Sequence, residues 1–204
     1  LDAYELLGDR KYLDVANSVC RWILAVPRTV TESGFCINYL GAPRGNGEAQ
    51  ASMQGDCTIH NQSMLAAAML ARTAGHTRNG EYAEAAREAV KYTCTRQLHD
   101  GSWYYGEDAK YQWIDNFHTG YNLDALKIYI EQTGDRTFER SLERGFQFYK
   151  LSFFEESGRP KYYHDRTYPI DSQCASQSID TLARFSDYDE GALELAFRVA
   201  SWTI

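Results

Sequence analysis

The sequence predicts an all-α fold, an α/α toroid of helical hairpins that forms an incomplete or open (α/α)6-type barrel with short β-turns in its loops. Three observations predict this fold. Helix-type stretches recur along the 204 residues, a phrase of glycine and aromatic residues follows three of them, and a more apolar helix follows each phrase. Such repetition is the signature of repeat architectures. We expect residues 1–204 to form one toroid domain. Both ends lie inside helical patterns, which indicates a portion of a longer chain.

The first kind of helix begins near a turn that contains glycine or aspartate. Four such stretches cover residues 8–25, 80–98, 134–154 and 187–204. An acidic residue near each start can cap free amides and favours the positive end of a helix. Apolar residues then recur at helical spacing, while charged residues occupy the opposite side. A helix with one charged face suits the outside of a toroid, so we expect these four to be the outer helices.

A glycine turn follows three of these stretches. It contains Gly34, Gly101 or Gly158, and successive glycines are about 60 residues apart, which is too long for a simple helix-pair solenoid. Glycine suits the left-handed conformation that ends a helix. The aromatic pairs that follow, Tyr104-Tyr105 and Tyr162-Tyr163, would form a short turn or hairpin.

The second kind of helix follows each glycine turn and covers residues 61–73, 118–132 and 172–185. These stretches are richer in small and apolar residues, as expected of inner helices surrounded by neighbours. The loops before them, residues 56–62, 113–122 and 164–173, should meet at one mouth of the ring. Loops aimed by a rigid scaffold are common carriers of ligand chemistry.

Charge and cysteine content exclude several classes of partner. The net charge of -7 and the isoelectric point of about 5.2 should repel nucleic acid. No apolar run approaches the roughly 18 residues of a membrane span, so we expect no membrane insertion. The five cysteines form no C-x-x-C pair. We expect reduced thiols in a cytoplasmic protein. The sequence assigns no oligomeric state.

The loops carry the residues of a sugar site. Fifteen Tyr, nine Phe and four Trp supply large apolar faces with polar tips. Asp115, His118 and Asn122 lie on one helical face. Asp56, Asp115 and Asp171 each come just before an inner helix, where both capping and ligand contact are open. The candidate catalytic residues are Asp115, His118, Asp171 and Glu107. The candidate substrate-binding residues are Trp103, Tyr104, Tyr105, Trp113, Asn116, Tyr121, His60, Asn61, Tyr163, Arg166 and Tyr168.

Several reactions fit these residues. Hydrolysis would use two carboxylates, with Asp115 and Asp171 first and Glu107 third. Epimerisation or lyase action would use His118 or a tyrosine to take the proton next to a carboxylate, with Asn116 or Arg166 to neutralise the acid. The alternative is a non-catalytic module that binds glycan and serves as a scaffold, because the same aromatic residues would serve it.

No cofactor and no metal is expected. The sequence contains no H-E-x-x-H motif, phosphate-binding loop or dinucleotide fingerprint. His60, His118 and His164 could meet at the centre of a ring, but no local ligand pair supports a metal site. The glycine-rich stretch at residues 41–47 lacks the ending of a phosphate-binding loop and is interpreted as a flexible loop or lid.

Two motifs resemble a known group of bacterial proteins. The first is Asp100 to Glu107 followed by Trp113 to Tyr121, and the second is Tyr162-Tyr163 with the stretch from Arg166 to Asp171. They are similar to proteins of the VpsJ type, encoded with exopolysaccharide or capsule biosynthesis machinery. Over residues 56–204 the resemblance implies an α/α toroid and a role around polysaccharide, without a mechanism. More distantly, the architecture is similar to unsaturated glucuronyl hydrolases, N-acylglucosamine epimerases, and uronate epimerases and lyases.

Overall fold

The computed structural model describes residues 1–38 and 58–204. Its elements are α1 (Asp2–Leu7), α2 (Arg10–Ala25), β1 (Arg28–Thr31), β2 (Gly34–Ile37), α3 (His60–Thr77), α4 (Gly80–Cys94), α5 (Asn116–Thr133), α6 (Glu139–Ser152), α7 (Ser172–Arg184) and α8 (Glu190–Thr203). The predicted all-α toroid class is confirmed. Asp56 and the stretch at residues 41–47 lie outside the described residues.

The helices pair into four hairpins, α1–α2, α3–α4, α5–α6 and α7–α8. The inner helix α3 packs against α4 and α5, and the inner helix α5 also packs against α7. Tight turns link inner to outer helix, because Gly8 and Gly134 adopt left-handed conformations with φ of 68° and 69°. The predicted order of inner and outer helices follows from these contacts.

Side-chain caps begin the outer helices. Asp9, Asn79 and Asp189 each accept a backbone N–H in the first turn of α2, α4 and α8. Asp135 does the same for the 3-10 turn Arg136–Phe138, which leads into α6. The acidic caps predicted for α2, α8 and the start that leads into α6 are therefore confirmed, whereas α4 is capped by Asn79 and not by an acidic residue.

The core lies between the two helix layers. The inner helix α5 has buried residues on almost every side, among them Leu123, Leu126 and Tyr129, which are each at most 1% exposed. The outer helix α4 buries Ala86 and Val90 and turns its charged residues outward. A helix buried all round must be surrounded by neighbours, as predicted for the inner set. The inner helix α7 differs, because it buries one face and exposes residues such as Ser176 and Asp180.

The three predicted glycine turns pack against the next outer helix. Gly34, Gly101 and Gly158 have φ of 100°, 98° and 87°. A Cβ atom at these glycines would lie well inside van der Waals distance of the carbonyl oxygens of Glu88, Arg144 and Arg198 respectively. Both the positive φ and the close approach of the two backbones require glycine.

Two local details differ from the sequence predictions. The first glycine turn lies inside the hairpin of β1 and β2, which pair antiparallel from Arg28 opposite Ile37 to Thr31 opposite Gly34. The helix predicted to reach residue 98 ends at Cys94, because Leu98 N instead donates to the Ser102 carbonyl over 2.8 Å and closes the glycine turn.

Cys20, Cys94 and Cys174 are free thiols, of which Cys20 and Cys174 are buried and Cys94 is partly buried. Cys36 is also buried. Within residues 1–38 and 58–204, no helix is both long and apolar enough to cross a membrane.

Candidate functional site

The loops before the three inner helices are joined side by side by backbone hydrogen bonds. His60 N donates to the Tyr105 carbonyl over 3.1 Å. Asn116 N donates to the Tyr162 carbonyl over 2.9 Å, which ties the second loop to the third. The described parts of these loops therefore lie together, as the hairpin pattern predicts.

An aromatic platform, which we define as Tyr105, Tyr111 and Trp113, occupies the second loop. The rings of Tyr105 and Trp113 stack with centroids 4.7 Å apart and an interplanar angle of 16°. Tyr111 meets both rings edge-on at 5.9 Å. Tyr105 also contacts the imidazole of His118 at 4.4 Å. All four side chains are partly exposed, so ring surface is available at the mouth.

Asp115 and His118 form a carboxylate–imidazole pair beside the platform. His118 Nδ1 lies 2.8 Å from Asp115 Oδ2 and 2.9 Å from Oδ1. The Asp115 side chain is 0% exposed, whereas that of His118 is 23% exposed. Asp115 also accepts the indole N–H of Trp113 over 2.9 Å and the backbone N–H of His118 over 2.8 Å. The carboxylate is therefore fully occupied inside the protein, and its effect on a ligand must pass through His118.

The orientation of His118 follows from its position in α5. Asp115 is the N-cap of this helix, and the first helical turn brings the i+3 side chain back over the cap. Phe117 also packs edge-on against the imidazole, with ring centroids 5.2 Å apart. With Nδ1–H donated to Asp115, the neutral tautomer places a lone pair on Nε2, for which the described residues supply no hydrogen-bond partner.

Glu107 forms a second carboxylate–imidazole pair two residues beyond Tyr105. Glu107 Oε1 lies 2.7 Å from Nε2 of His60, and Oε2 lies 3.4 Å from Nε of Arg96. The hydrogen bond from His60 and the charge of Arg96 lower the pKa of Glu107, although burial opposes them. Here the exposures are reversed, because the His60 side chain is 1% exposed and that of Glu107 is 37% exposed. Glu107 is the member of this pair that can reach a ligand.

The third loop adds Tyr163 and Arg166. A backbone bridge joins Tyr163 to Asp115, and the Arg166 guanidinium lies 4.3 Å above the Tyr163 ring. The Arg166 side chain is 61% exposed, which leaves its donors accessible. Tyr168 is 67% exposed and precedes the cis peptide to Pro169.

Asp171 is the N-cap of α7 and accepts the Cys174 N–H over 2.9 Å. It is the counterpart of Asp115 in the next hairpin, but it has no histidine at i+3. Burial raises the pKa of Tyr162 to about 12, and the nearby charges of Asp115 and Asp171 add to the shift. Both carboxylates therefore lie near Tyr162, although only Asp171 is partly exposed.

Several predicted contact residues lie in the core instead. Trp103 is 2% exposed and donates its indole N–H to the Thr93 carbonyl over 3.0 Å. Asn116 is 0% exposed and accepts from the Tyr149 hydroxyl over 2.8 Å. Tyr104 packs against the hydrophobic core. This is a correction for Trp103 and Asn116, whose side chains present no surface to a saccharide.

The remaining predicted residues flank the site. Tyr121 is partly buried, and its ring contacts Phe117 at 4.8 Å. Asn61 is partly buried, and its Oδ1 has no hydrogen-bond partner among the described residues.

Three residues at the site were missed by the sequence analysis. Tyr111 completes the platform, Phe117 packs against His118, and Arg96 contacts Glu107. The i, i+4 spacing of Phe117 and Tyr121 could have identified Phe117. No sequence motif pointed to Arg96, because its contact with Glu107 depends on how the connection between α4 and α5 folds back on itself.

The described residues contain no cluster of three or more His, Cys, Asp or Glu side chains placed to hold a metal ion. Two surface grooves, of about 360 and 420 Å³, lie where the third and second glycine turns meet α8 and α6 respectively. None of the predicted site residues lines either groove.

Comparison with known proteins identifies the fold. No protein-family model matches the sequence, and no curated protein matches it. An unsaturated glucuronyl hydrolase from Bacillus sp. GL1, described as responsible for the degradation of glycosaminoglycan, is similar with a TM-score of 0.67, 12% identity and coverage of 97% of this chain and 57% of its own. A UGL structure with dGlcA-Glc-Rha-Glc gives 0.66 at 12% identity over 97% and 56%.

A GH76 α-mannanase from Bacteroides thetaiotaomicron is similar with a TM-score of 0.58 and 15% identity, over 70% of this chain and 43% of its own. This chain thus spans about half the length of these solved structures. At such low identity the likeness establishes the toroid fold alone.

Proposed function

We propose that this protein binds a saccharide across the aromatic platform and transfers a proton to or from it through His118. The observation that carries the proposal is the Asp115–His118 pair beside the stacked rings of Tyr105 and Trp113. The reaction class that fits is removal of a C–H proton next to a carbonyl or carboxyl group, as in epimerases and lyases.

His118 is the proton-transfer group in this proposal. Its Nδ1–H is donated to Asp115, so Nε2 carries the lone pair that accepts the substrate proton. The enclosed Asp115 carboxylate then stabilises the imidazolium that forms. Asp115 acts as a positioning residue, since its own oxygens are fully occupied.

The platform and Glu107 bind the saccharide. Tyr105 and Trp113 offer apolar ring faces to the C–H face of a sugar ring. The lowered pKa keeps Glu107 ionised, and an ionised carboxylate is a strong acceptor for sugar hydroxyls. Arg166 is an exposed cation beside Tyr163 and would contact an acidic group if the saccharide carries one.

The chain's likeness to the mannanase and to the glucuronyl hydrolases supports a carbohydrate ligand. The resemblance to VpsJ-type proteins supports a bacterial polysaccharide or its precursor as the ligand, in exopolysaccharide biosynthesis. The cysteine pattern favours a cytoplasmic location. Hydrolysis by Asp115 and Asp171 has less support, because a side chain that is 0% exposed cannot flank a glycosidic bond. A hydrolase would have to use Asp171 and Glu107.

Non-catalytic glycan binding is the second candidate, and the open platform favours it. A single experiment separates the two. Neutral and uronic saccharides are incubated with the protein in D2O, binding is measured by calorimetry, and deuterium incorporation and new products are measured by NMR. For a catalyst we expect deuterium at the carbon next to the carbonyl or carboxyl group. Binding with no exchange and no product would leave the scaffold function.

The matched variants are His118→Gln and His76→Gln. Because general acid–base groups contribute about 10²- to 10⁴-fold, His118→Gln should lower turnover by that order and change affinity only a few-fold. His76 also pairs with a carboxylate, since its Nε2 lies 2.8 Å from Glu5, and it is 28% exposed, but it lies near the other end of α3. Equal losses in both variants would contradict the role of His118.

A further inference from the structure

The four outer helices can be aligned with one another, residue by residue, by matching their N-cap residues. Asp9, Asn79, Asp135 and Asp189 cap α2, α4, the 3-10 turn before α6, and α8 respectively. An aromatic residue follows each cap at the same distance along the sequence. These side chains are Trp22, Tyr92, Phe148 and Trp202.

Corresponding residues differ sharply in exposure between α2 and the other outer helices. In α4, Ala85, Ala89 and Tyr92 are 7%, 0% and 2% exposed. Their counterparts in α2 form a stripe of Val15, Val19 and Trp22, which are 63%, 39% and 61% exposed. In α8, Leu195 and Val199 are again 6% and 0% exposed. The same helix face is therefore covered in α4 and α8 and open in α2.

The glycine turn of the preceding hairpin packs on this face. Gly34 abuts the carbonyl of Glu88, Gly101 that of Arg144, and Gly158 that of Arg198. Glu88, Arg144 and Arg198 lie at the same distance in sequence after the caps of their helices. Ser18 lies at that distance after the cap of α2.

A cation on the receiving helix holds each turn. Lys91 Nζ donates to the Glu32 carbonyl over 3.4 Å, and Arg198 donates to the Glu156 carbonyl over 3.2 Å. Arg144 donates to the carbonyls of Leu98 and His99 over 2.6 and 2.7 Å. Such charge-assisted bonds satisfy carbonyls that a helix end leaves free. In α2, the exposed Arg21 occupies the position of Lys91.

We propose that Val15, Val19 and Trp22, with Arg21 beside them, form a docking surface for the glycine turn of a further helical hairpin. The occupant presents a positive-φ glycine to the Ser18 carbonyl, covers Trp22 with apolar side chains, and offers turn carbonyls to Arg21. The support is continuity with an interface that the described chain repeats three times.

A second copy of this chain does not fit the surface, because its three glycine turns already lie against its own α4, α6 and α8. The glucuronyl hydrolase structures match 97% of this chain with 56% and 57% of their own, so similar toroids contain further chain outside the match.

The test supplies a further hairpin taken from the chain itself. Residues 80–127, which hold α4, the Gly101 turn and most of α5, are joined in front of Asp2. Gly134 and Gly8 have the same left-handed conformation and precede equivalent caps, so the junction preserves an inner helix running into α2. The readout is hydroxyl-radical oxidation of Trp22, measured by mass spectrometry. The control is the same fusion with Gly101→Val in the added copy only.

We expect Trp22 to react readily in the original chain, to be protected several-fold in the fusion, and to react again in the control fusion. Equal reactivity in the two fusions would overturn the proposal. Protection of Trp22 in the original chain that increases with protein concentration would identify a second copy as the occupant and also overturn it.

A second measurement covers the case in which the fusion does not fold. In the original chain, Gly101→Val should lift the turn from α6 and raise the oxidation of Phe148, the counterpart of Trp22, while Trp202 stays unchanged. If the oxidation of Phe148 does not rise, the glycine turn is not what covers this face, and the proposal fails.

Discussion

Asp115 has two separable tasks, and one substitution distinguishes them. It caps α5 through the His118 backbone N–H and also holds the His118 ring through Nδ1. Asparagine is as good an N-cap as aspartate. It can still accept from Nδ1–H, but it removes the charge that stabilises the imidazolium. Its single oxygen cannot also accept the Trp113 indole N–H, which the second carboxylate oxygen accepts in the native chain. We therefore expect Asp115→Asn to lower turnover by about 10²-fold or more, and to lower the free energy of unfolding by about 1 to 3 kcal/mol for the bond that is lost. Rate assays and urea unfolding check the two parts.

The matched variant is Asp171→Asn, which alters the corresponding cap in the next hairpin without touching an imidazole. Proton transfer through His118 predicts a much smaller loss of turnover in this variant than in Asp115→Asn. A hydrolase that uses Asp171 predicts the reverse order, so the comparison also tests the reaction class.

A buried carboxyl between α5 and α7 should control how stability depends on pH. Burial raises the pKa of Asp124 to about 7, although Arg184 opposes the shift from 3.6 Å. The folded state therefore binds a proton that the unfolded state has released, and the free energy of unfolding falls as the pH rises from about 4 to 7. Gln177 and Thr181 both donate to Asp124 Oδ2, and an asparagine oxygen can accept both bonds.

We expect Asp124→Asn to flatten the pH dependence in this window and to gain up to about 4 kcal/mol over the native chain above pH 7. Urea unfolding at a series of pH values measures the difference. Asp180→Asn is the comparison, because that side chain is 62% exposed beside the same Arg184. Its charge only adds to the rise in the pKa of Asp124 that burial causes, so most of the slope should remain in this variant. An unchanged slope in Asp124→Asn would mean that the carboxyl ionises normally in the folded state.

The two tryptophans in the connection between α4 and α5 mark the limit of sequence reasoning about single residues. Trp103 and Trp113 both lie in aromatic, polar segments, and local sequence predicts the same role for both. Trp103 is buried because Gly145 on α6 lacks a side chain and lets the indole fill the space. Trp113 remains at the surface, where it stacks on Tyr105. The difference depends on a helix some forty residues away, which no local pattern encodes.

At the scale of elements, two glycines allow the energetic cost of a left-handed backbone to be measured apart from the cost of a steric clash. Gly134 has φ of 69° and no atom within 4 Å of the point where a Cβ would lie, whereas Gly101 has φ of 98° and faces the Arg144 carbonyl. We expect Gly134→Ala to cost about 1 kcal/mol of unfolding free energy for the left-handed backbone alone. Gly101→Ala should cost clearly more, because α6 must also move. Denaturant unfolding of the two variants gives the comparison, and equal losses would contradict the close packing of the turn on α6.

The helices were the most predictable elements, since their signals are local. Acidic caps such as Asp9 and Asp135, and apolar spacing as in Tyr82 and Ala86, indicated their starts and faces. Their ends were less predictable, because α4 stops at Cys94 where Leu98 turns back to bond Ser102. The pairing of Glu107 with His60 was likewise not predictable, since it depends on the register between two loops.

At the scale of the whole molecule, charge bears on the kind of saccharide that can bind. The net charge is -7, and the site contributes the carboxylates of Glu107, Asp115 and Asp171. Arg96 is engaged by Glu107, whereas two exposed cations lie at the site: Arg166, and Lys110, whose Nζ lies 4.8 Å above the Tyr111 ring. An acidic glycan would approach against this field, so we favour a neutral saccharide, and with it proton removal next to a carbonyl group.

Salt dependence tests this preference. Exposed charges are screened over about 10 Å at 0.1 M salt, so added salt should weaken any long-range repulsion. We expect the affinity for a neutral oligosaccharide to stay constant from low to high sodium chloride, and the affinity for a uronic oligosaccharide of equal length to be lower and to rise with salt. Titration calorimetry at three salt concentrations measures both. If the uronic ligand instead binds more tightly at low salt, and Arg166→Gln abolishes that gain, attraction by Arg166 outweighs the field of the whole chain, and the substrate is an acidic sugar.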